Sequence, residues 1–121
     1  WKDGGQSQAA LPITIGGNGR KRTLRTAARF AAEWNATIQD PVEYAELKGV
    51  LADHCAAVGR DFSEITCSCL LRSDGEGDLD RLVAALAQWR DAGADLAVIG
   101  LPLHAKPEFL GALAEAVGTL A

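Results

Sequence analysis

The sequence predicts an α/β fold built from parallel βα units. Three observations carry that prediction. Short apolar runs closed by glycine alternate with longer stretches whose apolar residues recur at helical spacing. The alternation repeats through about four strands and four helices, which implies parallel strands joined by helical crossovers. The last short run, Leu96 to Ile99, is nearly all apolar, as expected of a strand covered on both faces.

Each element has its own signal. Residues 1–10 are polar and rich in glycine and are expected to form a flexible lead-in to a domain over 11–121. Leu11 to Ile15 is a buried strand ended by Gly16 and Gly17. A helix is expected from about Gly19 to Ala32, with Leu24, Ala27, Ala28 and Ala31 on one face. Trp34 to Thr37 is a very short second strand. Asp40, Pro41 and Glu43 then announce a helix: the aspartate caps free N–H groups, proline fits the first position, and glutamate sits where a capping box needs it. Tyr44, Leu47, Leu51 and Cys55 continue its apolar face, and Gly59 ends it with a left-handed cap. Ile65 to Leu71 is the third strand, Asp74 to Gly77 a turn, and Asp78 to Ala92 a helix with Leu79, Leu82, Val83, Leu86 and Trp89 on one side. After the fourth strand, Pro107 to Val117 forms the last helix. Periodicity alone leaves two architectures open, an open doubly wound sheet or part of a barrel. A whole (βα)8 barrel takes about 250 residues, and this chain has 121.

Composition narrows the function. With 48% hydrophobic and 23% charged residues, the chain has the makings of a packed core. A net charge of −4 argues against a general nucleic-acid binder. No apolar run approaches the ~18 residues that span a membrane, and no secretory signal is visible. The three cysteines, Cys55, Cys67 and Cys69, are sparse and irregular, as in free thiols of a reducing cytoplasm. The chain begins at Trp1 and has no methionine, which is expected of a trimmed chain or a piece of a longer one.

The stretch over residues 16–23 is the most informative. A strand ends in Gly16-Gly17-Asn18-Gly19 and opens into a helix through Arg20-Lys21-Arg22-Thr23. Glycine lets the backbone approach a bound anion, and the first N–H groups of a helix carry the positive end of its dipole. Arg20, Lys21, Arg22, Arg25 and Arg29 are five of the chain's twelve basic residues. A tight turn that simply needs glycine, flanked by ordinary exposed bases, explains the same residues. The loop lacks the Gly-Lys-Ser/Thr of a Walker motif. It is also a poor dinucleotide fingerprint, because Arg22 stands where the third glycine belongs.

Pro12 to Gly19 with Lys21 to Arg25, then Ala28 to Asn35, resembles the luciferase-like oxidoreductases. The resemblance continues through Leu47 to Cys55, Val58-Gly59-Arg60-Asp61, Glu64-Ile65 and Gly93-Ala94-Asp95. It covers most of the chain and is nearest the subgroup using the deazaflavin coenzyme F-420, with FMN as the alternative. It implies the C-terminal half of a TIM-like (βα)8 barrel. It also implies that Gly16, Gly17, Asn18, Gly19, Arg22 and Thr23 contact the coenzyme phosphate, and that Trp34 and Asn35 line the coenzyme or substrate pocket. The activity implied is hydride transfer or monooxygenation on a small organic substrate. Catalytic residues are not assigned, because the barrel half that supplies many of them is absent from this chain.

Other residues carry blander readings. Cys67 and Cys69 face one side of a strand as core thiols, and no spacing matches a metal site. His104 follows the last strand as a loop histidine near the functional end, and His54 sits late in a helix, suited to the dipole. Glu33 reads as a charged helix end, and Asp74, Glu76 and Asp78 as a solvated turn with a helix cap. The competing function is a non-catalytic half-barrel binding or assembly module, because such a piece has two exposed strand edges and an open apolar face. Either way the expected partner is a second copy or the missing half, rather than nucleic acid or membrane. A phosphate-handling isomerase or lyase on a related barrel is the third reading.

Overall fold

A computed structural model describes residues 11–120, so the lead-in expected over 1–10 lies outside the described residues. The elements run β1 (Thr14–Gly16), α1 (Thr23–Phe30), β2 (Glu33–Ala36), α2 (Pro41–Val58), β3 (Thr66–Arg72), α3 (Leu79–Asp91), β4 (Leu96–Gly100) and α4 (Pro107–Val117). Single turns of 3-10 helix follow α2 at Phe62–Glu64 and α4 at Gly118–Leu120. The sheet order is β1-β2-β3-β4, all parallel. A doubly wound sheet reverses its strand order somewhere, whereas a barrel adds each strand beside the last. The consecutive order therefore selects the barrel-type architecture, with four of eight strands present.

Register fixes what each face of the sheet presents. Ile15 lies beside Trp34, Trp34 beside Cys67, and Ala36 beside Cys69, which lies beside Ala97. Trp34, Ala36, Cys67, Cys69 and Leu71 are buried on this side, against Leu24, Ala27 and Ala28 of α1, Tyr44, Leu47, Leu51 and Cys55 of α2, and Leu82, Leu86 and Trp89 of α3. Tyr44 stacks on Trp34 at 5.4 Å between centroids and meets Trp89 edge-on at 5.0 Å. Its hydroxyl is buried without a hydrogen-bond partner, and burial pushes its pKa upward.

Among the described residues, no helix packs over the other face. Its row runs Thr14 beside Glu33 and Thr66, then Gly16, Asn35, Ser68 and Leu96, then Leu70 and Val98. Leu96 and Val98 are 45% and 41% exposed, so β4 is covered on one face only, contrary to its all-apolar sequence. Nor is the face uniformly apolar. Ser68 Oγ donates to the Glu33 carboxylate, Asn35 Nδ2 reaches Ser68 Oγ at 2.8 Å, and Thr14 Oγ1 donates to Glu33 at 3.3 Å. Glu33 is therefore the first residue of a strand and part of a polar network, not a charged helix end.

Local signals explain the elements that formed as expected. Asp40 Oδ1 accepts the Val42 amide at 2.9 Å, Pro41 opens α2, and Gly59 closes it at φ 73°. Helix α1 is shorter than expected, because residues 20–22 form a turn and the chain is already extended at Ala31 to enter β2. Arg60 donates to the Ala27 and Ala28 carbonyls near the end of α1 and pairs with Glu64. Asp95 ties the starts of two strands together: its carboxylate accepts the Cys67 amide at 2.9 Å, and its own amide donates to the Cys67 carbonyl.

Candidate functional site

The strand-to-helix turn after β1 is built around Thr23. Gly17 has φ 123°, and a Cβ there would lie 3.1 Å from Thr23 Cγ2. A Cβ on Gly19 would lie 2.8 Å from Thr23 Oγ1. These two glycines are thus required by the close approach of Thr23. Gly16 is not, since its Cβ would make an ordinary 3.8 Å contact with the Asn35 carbonyl.

Neighbouring elements hold the loop from three sides. The Gly17 amide donates to the Asn35 carbonyl at 3.1 Å. The Trp34 indole Nε1–H donates to the Gly17 carbonyl at 2.8 Å. Asn18 Oδ1 accepts the Thr37 amide at 3.0 Å, and the Leu24 amide closes on the Gly19 carbonyl. From α2, His54 Nε2 lies 2.7 Å from the Arg20 carbonyl, and Glu46 pairs with the Arg20 side chain at 3.4 Å. That ion pair is solvent-exposed and adds little energy. The histidine contact is the more informative one, because it pins the backbone of the turn.

The eight residues expected at the site are brought together, but not all in the expected roles. Gly16 ends β1, Gly17, Asn18, Gly19 and Arg22 lie in the connection that follows, and Thr23 opens α1. Trp34 is fully buried beneath that connection, so it supports the loop instead of lining an open pocket. The reason is register: Trp34 shares its face with Cys67, which points toward the helices. Asn35 lies on the opposite face and is half-buried there. His104 is exposed in the loop after β4, at the far edge of the sheet.

The electrostatics suit an anion. Arg22 is the residue preceding α1; no side chain caps the helix, and its first turn holds no acidic residue. The initial N–H groups of a helix lack intrahelical partners and attract negative charge. Arg20, Lys21 and Arg22 are exposed around them, and the Thr23 hydroxyl sits inside the turn. A phosphate fits this donor set: glycine backbone, helix N-terminus, guanidinium and hydroxyl. The thiols do not form a second centre. Cys55, Cys67 and Cys69 are free and buried, and burial pushes Cys67 up to about 11. Among the described residues, no three His, Cys, Asp or Glu side chains converge as metal ligands. No helix of the described residues is long and apolar enough to cross a membrane.

Comparison with known proteins supports the fold. The chain is similar to the coenzyme-F-420-dependent tetrahydromethanopterin reductase of Methanopyrus kandleri, with a TM-score of 0.68 and 11% identity, over 95% of this chain and 52% of that one. It is also similar to a Burkholderia cenocepacia J2315 protein provisionally assigned as a lyase/mutase, with a TM-score of 0.52 and 26% identity, over 89% of this chain and 44% of that one. No protein-family model matches the chain, and no curated protein matches its sequence. The chain thus spans about half the length of the solved structures it matches. The architecture is an α/β half-barrel similar in fold to part of the F-420-dependent reductase.

Proposed function

We propose that this chain is the coenzyme-binding part of a luciferase-like flavin or deazaflavin oxidoreductase and carries the last four strands of its barrel. The single observation that carries the reading is the β1–α1 loop, an uncapped, base-rich helix start behind glycines, in a fold similar to that of an F-420-dependent reductase. When bound, the coenzyme supplies the hydride chemistry. The chain's own part is to hold and orient it. Gly17, Asn18 and Gly19 shape the backbone, Arg22 and the Thr23 hydroxyl meet the phosphate, and Trp34 and His54 keep the loop in place from below and beside. Asn35, on the face opposite the helices, lies where the ring end of the coenzyme or the substrate would enter.

Titration with coenzyme F-420 and, separately, FMN tests this by following coenzyme fluorescence. Saturable F-420 binding that weakens in Arg22→Ala supports the deazaflavin subgroup, and preference for FMN moves the cofactor while keeping the fold. No binding of either at high micromolar concentration removes the coenzyme reading. A phosphate-handling lyase or isomerase is the second reading, favoured by the 26% identity to the Burkholderia protein. Inorganic phosphate binding that weakens in Arg22→Ala, with no binding of either coenzyme, would select it.

A further inference from the structure

Three polar side chains meet on the face of the sheet opposite the helices. Ser68 of β3 is fully buried and stands at their centre. Its Oγ lies 2.5 Å from Glu33 Oε1, 2.8 Å from Asn35 Nδ2 and 3.3 Å from the Trp34 carbonyl. The Glu33 carboxylate also accepts from Thr14 Oγ1 at 3.3 Å. Register explains the meeting. Glu33 and Asn35 are two apart on β2, so they share a face, and Asn35 pairs with Ser68 across the strands.

Counting donors fixes the asparagine. A hydroxyl has one proton to give, whereas a carboxylate and a backbone carbonyl only accept. Two of the three groups around Ser68 Oγ therefore compete for its proton, and neither can supply one. The lone pairs of the buried hydroxyl are met only when Asn35 turns its NH2 toward them, as it does. Held that way, the amide turns Asn35 Oδ1 away from Ser68. Among the described residues this oxygen makes no hydrogen bond, and it is not sealed from solvent. The main chain of Asn35 is tied to the turn after β1 as well, because its carbonyl accepts the Gly17 amide at 3.1 Å. Its register partner on β1 is Gly16, one strand spacing of about 4.8 Å away. An acceptor of fixed orientation thus stands next to the phosphate-binding turn.

We infer that Glu33 and Ser68 are positioning residues that hold the Asn35 amide in one orientation, so that Asn35 Oδ1 accepts a hydrogen bond from an N–H donor of the bound ligand. The ligand class rests on the coenzyme reading above; the orientation of the amide does not. The ring systems of FMN and of coenzyme F-420 each carry an imide N–H between two carbonyls. That N–H meets a fixed carbonyl oxygen favourably. A ligand edge that offers only acceptors puts two oxygens face to face and leaves both unsatisfied. Asn35 thereby selects the donating edge of the ring.

Two readouts on the full chain test it. Exchange of the two Asn35 Nδ2 protons, followed by NMR, reads the orientation without any ligand. One of the pair is expected to exchange more slowly than the other by roughly threefold or more, and the difference disappears in Ser68→Ala. Glu33→Gln keeps an acceptor for the Ser68 hydroxyl and should retain the difference; its loss there overturns the role given to Glu33. Fluorescence titration reads the ligand, with FMN, or F-420 if that is what binds, compared with the same coenzyme methylated on the imide nitrogen. Methylation is expected to weaken binding roughly tenfold in the parent. In Ser68→Ala, whose freed amide can turn its NH2 to a ring carbonyl, the loss should be less than about threefold. Asn35→Leu removes the acceptor outright and should show the same indifference to methylation, which keeps the test open if Ser68→Ala does not fold. Equal exchange of both protons in the parent overturns the inference. So does a methylation penalty that is absent from the parent or undiminished in the variants. Binding of neither coenzyme removes the coenzyme reading, and the exchange measurement then decides the inference alone.

Discussion

The chain contains two glycine-bearing turns between a strand and a helix, and they solve the same electrostatic problem in opposite ways. After β3, the loop over 73–78 supplies its own anions. Asp78 is buried, accepts from Ser73 Oγ at 2.7 Å and the Asp74 amide at 3.1 Å, and pairs with Arg81. Asp74 in turn accepts the Glu76 and Gly77 amides. After β1, the loop over 16–22 has no carboxylate at its helix start and three bases around it. A turn that carries its own carboxylates has used the donors an external anion would need. A turn without them has no carboxylate of its own to compete with a ligand. The contrast separates structural from functional use of glycine better than the glycines do.

The largest break of this contrast is expected from Gly17→Val. A β-branched residue at φ 123° and against Thr23 is strained by about 1–3 kcal/mol. Thermal unfolding should show a lower midpoint, and phosphate or coenzyme titration should show binding lost. Next comes Asp78→Asn, which weakens the self-satisfied loop by about 1–3 kcal/mol in denaturant unfolding. Coenzyme affinity should be unchanged.

The same carboxylate predicts a pH effect. Burial alone would raise the Asp78 pKa, but hydrogen bonds from Ser73, the Asp74 amide and Arg81 outweigh it and hold the group below the usual range. The unfolded chain therefore binds its proton first as pH falls. The stabilisation is complete above the ordinary aspartate value of about 3.9 and is lost as pH drops through the lower folded value. Denaturation curves of the parent should lose stability over that acid window more steeply than those of Asp78→Asn.

Arg22→Asp sharpens the comparison by giving the first loop a carboxylate of its own, placed where it can cap α1. An aspartate at the helix cap should raise stability by about 0.5–1 kcal/mol while anion affinity falls by roughly tenfold, equivalent to about 1.4 kcal/mol. Unchanged affinity would mean that the helix start is not where the anion binds. The smallest effect is expected from Asn18→Ala, which loses one exposed hydrogen bond to the Thr37 amide. The cost is about 0.5–1 kcal/mol in unfolding, with a modest loss of coenzyme affinity.

What the sequence revealed was local. Asp40-Pro41, Gly59 and the helix from Pro107 to Val117 were legible because caps and periodicity act within a few residues. The start of α1 was not, since Arg20, Lys21 and Arg22 are good helix formers that the chain bends into a turn. Asp78 has the sequence of a helix cap, but its carboxylate turns back to Ser73 and does not cap α3. Contacts across the chain left no local trace: Ser68 to Glu33, His54 to Arg20, and Trp34 to Gly17. The glycine loop itself was visible, whereas the groups that hold it in place are set by strand register and helix packing.

One of those contacts makes the molecule its own optical instrument. The Trp34 indole is sealed from water, bonded to the loop through Gly17 and stacked on Tyr44. Anything that settles in the turn after β1 alters the field around that indole. A flavin-type chromophore bound nearby would also accept its excitation. Occupancy of the loop is thus written into the protein's intrinsic emission, and a Trp34→Phe variant supplies the matching blank.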